Sequence, residues 1–401
     1  MAVSRRRFVG GFAAAMGYVG LAPETDLFAL GQSTASNAAG SSYLSDKIKK
    51  AMEEYDGYAK LSNNENPYGP PESVMKAMTD AFKYANRYGS PDGGIVDAIA
   101  AHHGVKTENV LIGEGSSELL DISDAAFTRG GRKVVGADPT YATIFQYAAG
   151  TNSQGILIPL RADFTQDIPA MIRAVKTHYR DVGLVYLCNP NNPTGVIVRK
   201  EEVKQLLDAV PDDVPVLIDE AYHHFVEDPN YETSTKYVLE DRSVIILRTF
   251  SKIIGLAGMR LGYAVAPKRL LDQMKVYSIN YGVNQIVRYG GVAGLADTAA
   301  QDKVRKINTE LRTKTTKELE ALGYPVIPSQ TNFFMVQIDR DVVQTGADFK
   351  KRGVLVGRPF PPMTKHLRVS VGSAAEMDRF MKAFKEIFPV RTAPGKSGIG
   401  R

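Results

Sequence analysis

A chain of 401 residues with 44% hydrophobic side chains has enough apolar material for a large core and for two or three domains. Its net charge of +5 is partly the local cluster Arg5-Arg6-Arg7, and with no basic stripe interleaved with aromatics it argues against a nucleic-acid partner. One cysteine, Cys188, excludes an intramolecular disulfide, and six histidines without metal-ligand spacing leave a structural zinc unsupported.

The N-terminus reads as an address. Ser4-Arg5-Arg6-Arg7-Phe8-Val9-Gly10 is a twin-arginine pattern, and the weakly apolar segment 11–22 that follows is too short to span a bilayer. Residues 20 and 22, or 36 and 38, offer small side chains for cleavage, and 32–42 is a Ser/Ala/Gly-rich linker. The expectation is export in the folded state to the periplasm or the extracellular space, with the membrane met only in transit.

After the turn-rich LSNNENPYGPP, the spacing predicts a helix over 72–85 with Val74, Met78, Ala81 and Phe82 on one face. Short β-branched runs then recur: NVLIG, KVVGA, GILIPL, GLVYL, PVLID and SVIIL, most of them separated by helical periodicity such as 201–210. That rhythm predicts a largely parallel sheet covered by helices, with ligand groups where strands end. Beyond Pro267 come helical stretches at 268–277 and 300–322, two strands, NFFMVQI and HLRVSVG, and a helix at 374–388. These suggest a smaller α+β domain, and the helix at 72–85, too early for the sheet, is expected to pack with it. The divisions are 1–38 (signal and linker), 39–84 (arm and part of the small domain), 85–299 (large domain), 300–392 (small domain) and 393–401 (tail). The pairs His102-His103 and His223-His224 are read as strand neighbours facing opposite ways, near the surface or behind a site.

The strand ends carry the chemistry. Gly115-Ser116-Ser117 follows NVLI and opens a helix, so backbone N–H groups and two hydroxyls meet where the helix dipole favours an anion. Tyr141 follows the next strand and offers an aromatic face, and Asn192 lies in the octet CNPNNPTG with an amide to donate. Asp219 closes PVLID, where a carboxylate needs a partner. Ser251-Lys252 closes SVIIL, with Arg260 downstream; burial there would lower the lysine pKa and make the amine a nucleophile. A phosphate cup, a stacking ring, a phenol and an amide for a ring oxygen, a carboxylate for a ring nitrogen and an amine for an aldehyde together suit pyridoxal phosphate.

On these residues the chain resembles the fold-type I pyridoxal-phosphate aminotransferases, and within them the histidinol-phosphate aminotransferase-like group. The resemblance runs from about residue 60 to residue 388 and is most specific in KLSNNENPYGPP, NPNNPTG, DEAY, SK with Arg260, and LRVSVG. It implies Lys252 as the Schiff-base lysine, Asp219 at the pyridine nitrogen, and Asn192 and Tyr222 at the ring oxygen. Gly115, Ser116, Ser117, Ser251 and Arg260 would surround the phosphate, with Tyr141 on the ring. Tyr88 would reach a neighbouring subunit's site, implying a homodimer. Arg368 would grip the substrate anion beside Asn66 and Tyr68, and Arg358 is a further substrate candidate. Two departures are visible: RYGSPD in place of Arg-Tyr-Pro-Asp, and Val356-Gly357-Arg358 in place of Val-Arg. The implied activity is transfer of an amino group between an amino acid or related amine, histidinol-phosphate-like substrates included, and a 2-oxo acid. Decarboxylation or a lyase step on the same scaffold is the alternative, and a noncatalytic binding protein the remote one. Because histidine biosynthesis is cytosolic, an exported enzyme is expected to use another amino donor.

Overall fold

The structure is a computed structural model and describes residues 45–279 and 282–391. The twin-arginine segment, the linker and the tail at 393–401 lie outside the described residues. The described residues divide into two units, with the boundary between Tyr58 and Ala59. The first contributes the helix Asp46–Asp56, whose N-terminus Ser45 caps by accepting from the Ile48 N–H.

Strand β1 (Ala59–Leu61) opens the second unit. Seven strands follow: β2 (Val110–Gly113), β3 (Lys133–Asp138), β4 (Gly155–Pro159), β5 (Val182–Cys188), β6 (Val216–Asp219), β7 (Val244–Thr249) and β8 (Gly262–Val265). They form one sheet in the order β2-β8-β7-β6-β5-β3-β4. Only β8 runs against the rest, pairing antiparallel with both β2 and β7. The apolar runs are continuous because both faces are covered. Val185, Leu187, Val216, Ile218, Val244 and Ile246 face one apolar cluster, while Leu184, Tyr186, Leu217, Ile245 and Leu247 face another. The period-two alternation of a strand thus feeds two cores at once.

Register aligns the functional edge. Cys188 lies opposite Asp219, and Asp219 opposite Leu247, so β5, β6 and β7 release their loops side by side. Beyond the sheet come β9 (Val326–Ile327), β10 (Phe333–Gln337), β11 (Val354–Val356) and β12 (His366–Ser370). β9, β10 and β12 make an antiparallel sheet, and β11 pairs parallel with β1. Phe349, Phe380 and Phe384 from the helices Val342–Lys351 and Ala374–Ile387 fill a third apolar cluster with these strands.

Several expectations need correction. The helix at 72–85 is α-helical only over Glu72–Ala81 and tightens into a 3-10 turn at Phe82–Tyr84. That rotation turns Phe82 outward, where it is 63% exposed. The helix packs on the helix Gln285–Ala296 beside the large sheet, with Val74 and Met78 in that core, and not with the smaller layer. Gln285–Ala296 went unread because Gly290, Gly291 and Gly294 lower its helix propensity. Those glycines let it approach closely: a Cβ at Gly290 would meet Met78, one at Gly291 Leu261, and one at Gly294 Ile254. GILIPL forms the sheet edge, so its β4 burial alternates and Leu157 faces outward. Among the described residues no helix is long and apolar enough to cross a membrane, and no cluster of His, Cys, Asp or Glu is arranged to hold a metal.

Candidate active site

Lys252 lies three residues past β7, after Ser251. Thr249 holds this turn, donating its hydroxyl to Ser251 Oγ at 2.8 Å and accepting from the Ser251 N–H at 3.1 Å. The Lys252 ammonium reaches the Asn63 carbonyl at 3.4 Å and sits 5.7 Å from the centre of the Tyr222 ring. Desolvation, and then the Arg368 cation, lower its pKa to about 8. Asn66 braces the same turn by donating to the Ile253 carbonyl at 2.9 Å.

Asp219 is buried at the end of β6. Tyr186, on the neighbouring strand β5, donates its hydroxyl to Oδ2 at 3.1 Å, and the Ala221 N–H donates to Oδ1 at 3.1 Å. Burial nevertheless raises the carboxyl pKa to about 6, against the lowering effect of those two bonds and of Lys252. A buried anion with two donors and a missing counter-charge is suited to a cationic ring nitrogen.

Tyr222 and Asn192 form a fixed pair. Asn64 and Asn192 donate their amides to the Tyr222 oxygen at 3.1 and 3.4 Å. Each amide is oriented from its other end: Ser370 donates to Asn64 Oδ1 at 2.9 Å, and Arg368 to Asn192 Oδ1 at 2.8 Å. The phenol therefore keeps its own O–H free to donate. Its pKa is raised, by burial first.

Arg368 comes from β12, across from Met335, and is buried. One nitrogen donates to Asn192 and another to the Ser62 carbonyl at 2.6 Å, while Nε is buried without a partner. Its guanidinium lies 4.6 Å from the centre of the Phe360 ring and 5.5 Å from that of Phe333. Desolvation lowers its pKa to about 10. Gly357, the inserted residue, permits this: a Cβ there would stand 2.7 Å from the Arg368 carbonyl oxygen and 3.3 Å from Nε. Arg358 remains exposed, with its guanidinium 4.3 Å from the centre of the same Phe360 ring.

At the opposite end of the cup, Gly115 (φ 75) precedes the helix Ser116–Phe127 and gives its first turn no side-chain cap. Arg260, at φ 59, donates to the Ala257 carbonyl at 2.8 Å and lies along this turn, reaching the Glu114 carbonyl at 3.3 Å. A Cβ at Gly115 would fall 2.3 Å from Arg260 Nη2, so a bare backbone is what admits the guanidinium. Amides, hydroxyls and a guanidinium around one helix N-terminus are a phosphate donor set.

Tyr141 is partly buried and close enough to Arg368 and Arg358 to act on both electrostatically. Tyr68 is 47% exposed at the rim, its N–H donating to Asn66 Oδ1. Tyr88 is 87% exposed. The histidine pairs do not sit on strands. His102 and His103 end the helix Ile95–His103, and His223 and His224 occupy a 3-10 turn with ring centres 3.7 Å apart. Residues not singled out from the sequence are Tyr186, Asn64, Phe333 and Phe360. For Tyr186 a signal existed, since a phenol inside a fully buried strand needs a hydrogen-bond partner.

A doubly covered sheet that releases a lysine, a carboxylate and an asparagine from adjacent strand ends, with a helix N-terminus opposite an arginine, defines a fold-type I pyridoxal-phosphate enzyme. The donor set and the Gly115 cradle fit that cofactor. The aminotransferase class I and II family matches residues 56–384. The histidinol-phosphate aminotransferase of Moorella thermoacetica is 37% identical over 335 residues, 82% of this chain and 85% of the relative. An aromatic amino acid aminotransferase of Thermobifida fusca is 33% identical, over 80% and 88%. The structure of a histidinol-phosphate aminotransferase from Sinorhizobium meliloti with pyridoxal-5'-phosphate has a TM-score of 0.77 at 27% identity, over 87% and 98%. The chain belongs to the class I and II aminotransferases and is a pyridoxal-phosphate-dependent aminotransferase.

Proposed function

We propose that the amino donor is an amino acid or closely related anionic amine, gripped at its acid group by Arg368, and that a 2-oxo acid accepts the amino group. The observation that supports this most is the orphaned Nε of Arg368, a buried guanidinium donor with no protein acceptor, on a side chain near enough to Lys252 to lower the lysine pKa. Pyridoxal phosphate supplies an aldehyde for an amine to join and a ring that withdraws electrons from the carbon bearing that amine. The chain's residues divide the remaining work. Ser116, Ser117, Ser251 and Arg260 hold the phosphate, and Tyr141 covers the ring. Asp219 holds a proton on the ring nitrogen, and Tyr222 donates toward the ring oxygen. Lys252, whose low pKa makes the neutral amine accessible near neutral pH, would take the proton from the substrate carbon onto Nζ and hand it on to the cofactor, leaving Nζ neutral again.

The relatives named for histidinol phosphate and for aromatic amino acids mark the two ends of the donor range to be tested. Purified holoenzyme mixed with a panel of amino acids, histidinol phosphate and primary amines should convert the bound cofactor to its aminated form with at least one anionic donor. Lys252→Ala should remove the cofactor–lysine absorbance and lower turnover by about 10²–10⁴-fold. No conversion with any donor, or carbon dioxide release without need of an oxo acid, would overturn the reading.

We also propose export through the twin-arginine signal and assembly as a homodimer. Arg5→Lys with Arg6→Lys should hold the protein in the cytoplasm, and undiminished export would count against the signal. The dimer is supported by the apolar groups that face outward, Phe82, Tyr88, Val276 and Ile279, the last two 76% and 74% exposed.

A further inference from the structure

Directly behind Asp219 lies a second buried ionic layer that the reaction does not touch. Glu220, 1% exposed, accepts from Arg248 Nε at 3.1 Å and Nη2 at 2.7 Å, and Arg248 is 4% exposed. The other Glu220 oxygen accepts from the Ser234 N–H at 2.7 Å, and the Glu220 N–H donates to the Leu247 carbonyl at 2.9 Å. Glu220 follows the last residue of β6, and Arg248 is the penultimate residue of β7. The pair therefore bolts together the two strands that release Asp219 and Ser251-Lys252.

Among the described residues, the other titratable groups that Arg248 acts on include four imidazoles and two phenols. His102, His103, His223 and His224 are all held below the ordinary imidazole range, by desolvation and then by Arg248 itself, His103 down to about 3. His103 Nε2 meets the Tyr263 hydroxyl at 3.0 Å, and His223 Nδ1 meets the Glu220 carbonyl at 2.8 Å. Tyr231 and Tyr263 close the layer as phenols, their pKa values raised by burial. Arg305, from the helix Thr298–Ala321, acts on His224 from the far side. Glu220 is thus the carboxylate that balances Arg248, and its charge works against ionisation of its neighbour Asp219.

We propose that Arg248 is a positioning residue for the cofactor: by neutralising Glu220 and tying β6 to β7, it keeps Asp219 as the uncompensated carboxylate that faces the cofactor's ring nitrogen. The proposal rests on the assignment of Asp219 to that nitrogen. In Arg248→Met, two carboxylates one residue apart compete for a single negative charge, and like charges at close range raise each other's pKa. Below its pKa, a carboxyl whose pKa rises by about one loses about tenfold in its ionised fraction.

The test uses stripped full-length protein reloaded with pyridoxal phosphate labelled with ¹⁵N in the ring, read by the ring-nitrogen chemical shift and by the cofactor Kd. Wild type should give a protonated ring nitrogen; failure there would sink the assignment of Asp219 and the proposal with it, whereas a protonated nitrogen in wild type that the Arg248 variants leave unmoved would overturn the role of Arg248 alone. Arg248→Met should lower the midpoint of ring protonation by about one pH unit and weaken Kd by up to about tenfold at pH 6 and below, where the raised carboxyl pKa costs ionised Asp219, with a smaller loss at pH 8. The double variant Arg248→Met with Glu220→Gln should return both readouts to within about threefold of wild type, because the competing charge is gone. Glu220→Gln alone, which serves if Arg248→Met does not fold, leaves Arg248 unbalanced and should extend Asp219 ionisation to lower pH. A double variant no better than the single, pH-independent losses, or no opposite shift in Glu220→Gln would overturn the proposal and reduce the pair to a structural bolt.

Discussion

At the scale of the residue, the phosphate end of the pocket turns on what is missing from Gly115. Its positive φ disfavours any other residue, and its bare α-carbon is where Arg260 rests. Gly115→Ala should displace the guanidinium and forfeit charge-assisted hydrogen bonds of about 1.5–3 kcal/mol, weakening the pyridoxal phosphate Kd by about 10–100-fold. Equilibrium titration of stripped protein measures this directly. Lys252 sets the pH behaviour of cofactor capture. Its depressed pKa, about 8, means the neutral nucleophile grows as pH rises toward 8 and levels off above it. Stripped protein should capture the cofactor about tenfold faster per pH unit between 6 and 8, with a plateau beyond. A flat profile in stopped-flow absorbance would contradict a free amine as the reacting form. Asp219 and Lys252 were legible because each is a costly residue type at or just past the end of an apolar strand, whereas Asn192 and Arg260 were legible through the motifs NPNNPTG and SK with its downstream arginine, which carry the resemblance. Asn64 was not, since its partners Tyr222 and Ser370 lie 158 and 306 residues away in the chain.

At the scale of the element, β8 closes the cup. Its first residue, Gly262, faces the start of the helix Ser116–Phe127, and a Cβ there would stand 2.5 Å from the Ser116 nitrogen and 2.6 Å from the Gly115 carbonyl carbon. Backbone cannot rotate aside as a side chain can. Gly262→Ala should lower stability by about 1–3 kcal/mol and also loosen cofactor binding, the first read by denaturant titration and the second by Kd. Binding unchanged alongside lost stability would separate β8 from the phosphate site. The strands were readable from their β-branched runs, and the two-sided burial of the sheet explains why those runs do not alternate in polarity. The helix Gln285–Ala296 was not readable. Its glycines answer to contact with neighbouring elements, a constraint that local propensity does not carry, and Asn284 caps it by accepting from the Ile286 N–H at 2.8 Å.

At the scale of the whole molecule, the residues least explained by one copy are the exposed ones. Tyr88 carries nearly all of its surface to solvent, and the resemblance assigns it to a neighbouring copy's pocket. Light scattering should give twice the chain mass, and Tyr88→Ala should weaken cofactor or substrate binding without unfolding the protein; a monomer with full activity would remove that role. The sheet order was only partly legible. Alternating strand and helix patterns imply a parallel sheet, yet nothing in GYAV says that β8 inserts antiparallel between β2 and β7, because that placement is decided by tertiary pairing.

That reversed strand has a kinetic consequence. Because β7 and β8 form an antiparallel pair, Lys252 and Arg260 lie in the single loop joining them, and their half of the pocket can assemble by closing a short local segment. The other half arrives from far away: the contact between Arg260 and Glu114 spans 146 residues. Closing a long loop costs more entropy and comes later when non-local contacts govern the rate. During refolding the lysine and its arginine should therefore acquire protection from solvent exchange ahead of the helix N-terminus that completes the cup, leaving the amine assembled before the phosphate has anywhere to dock.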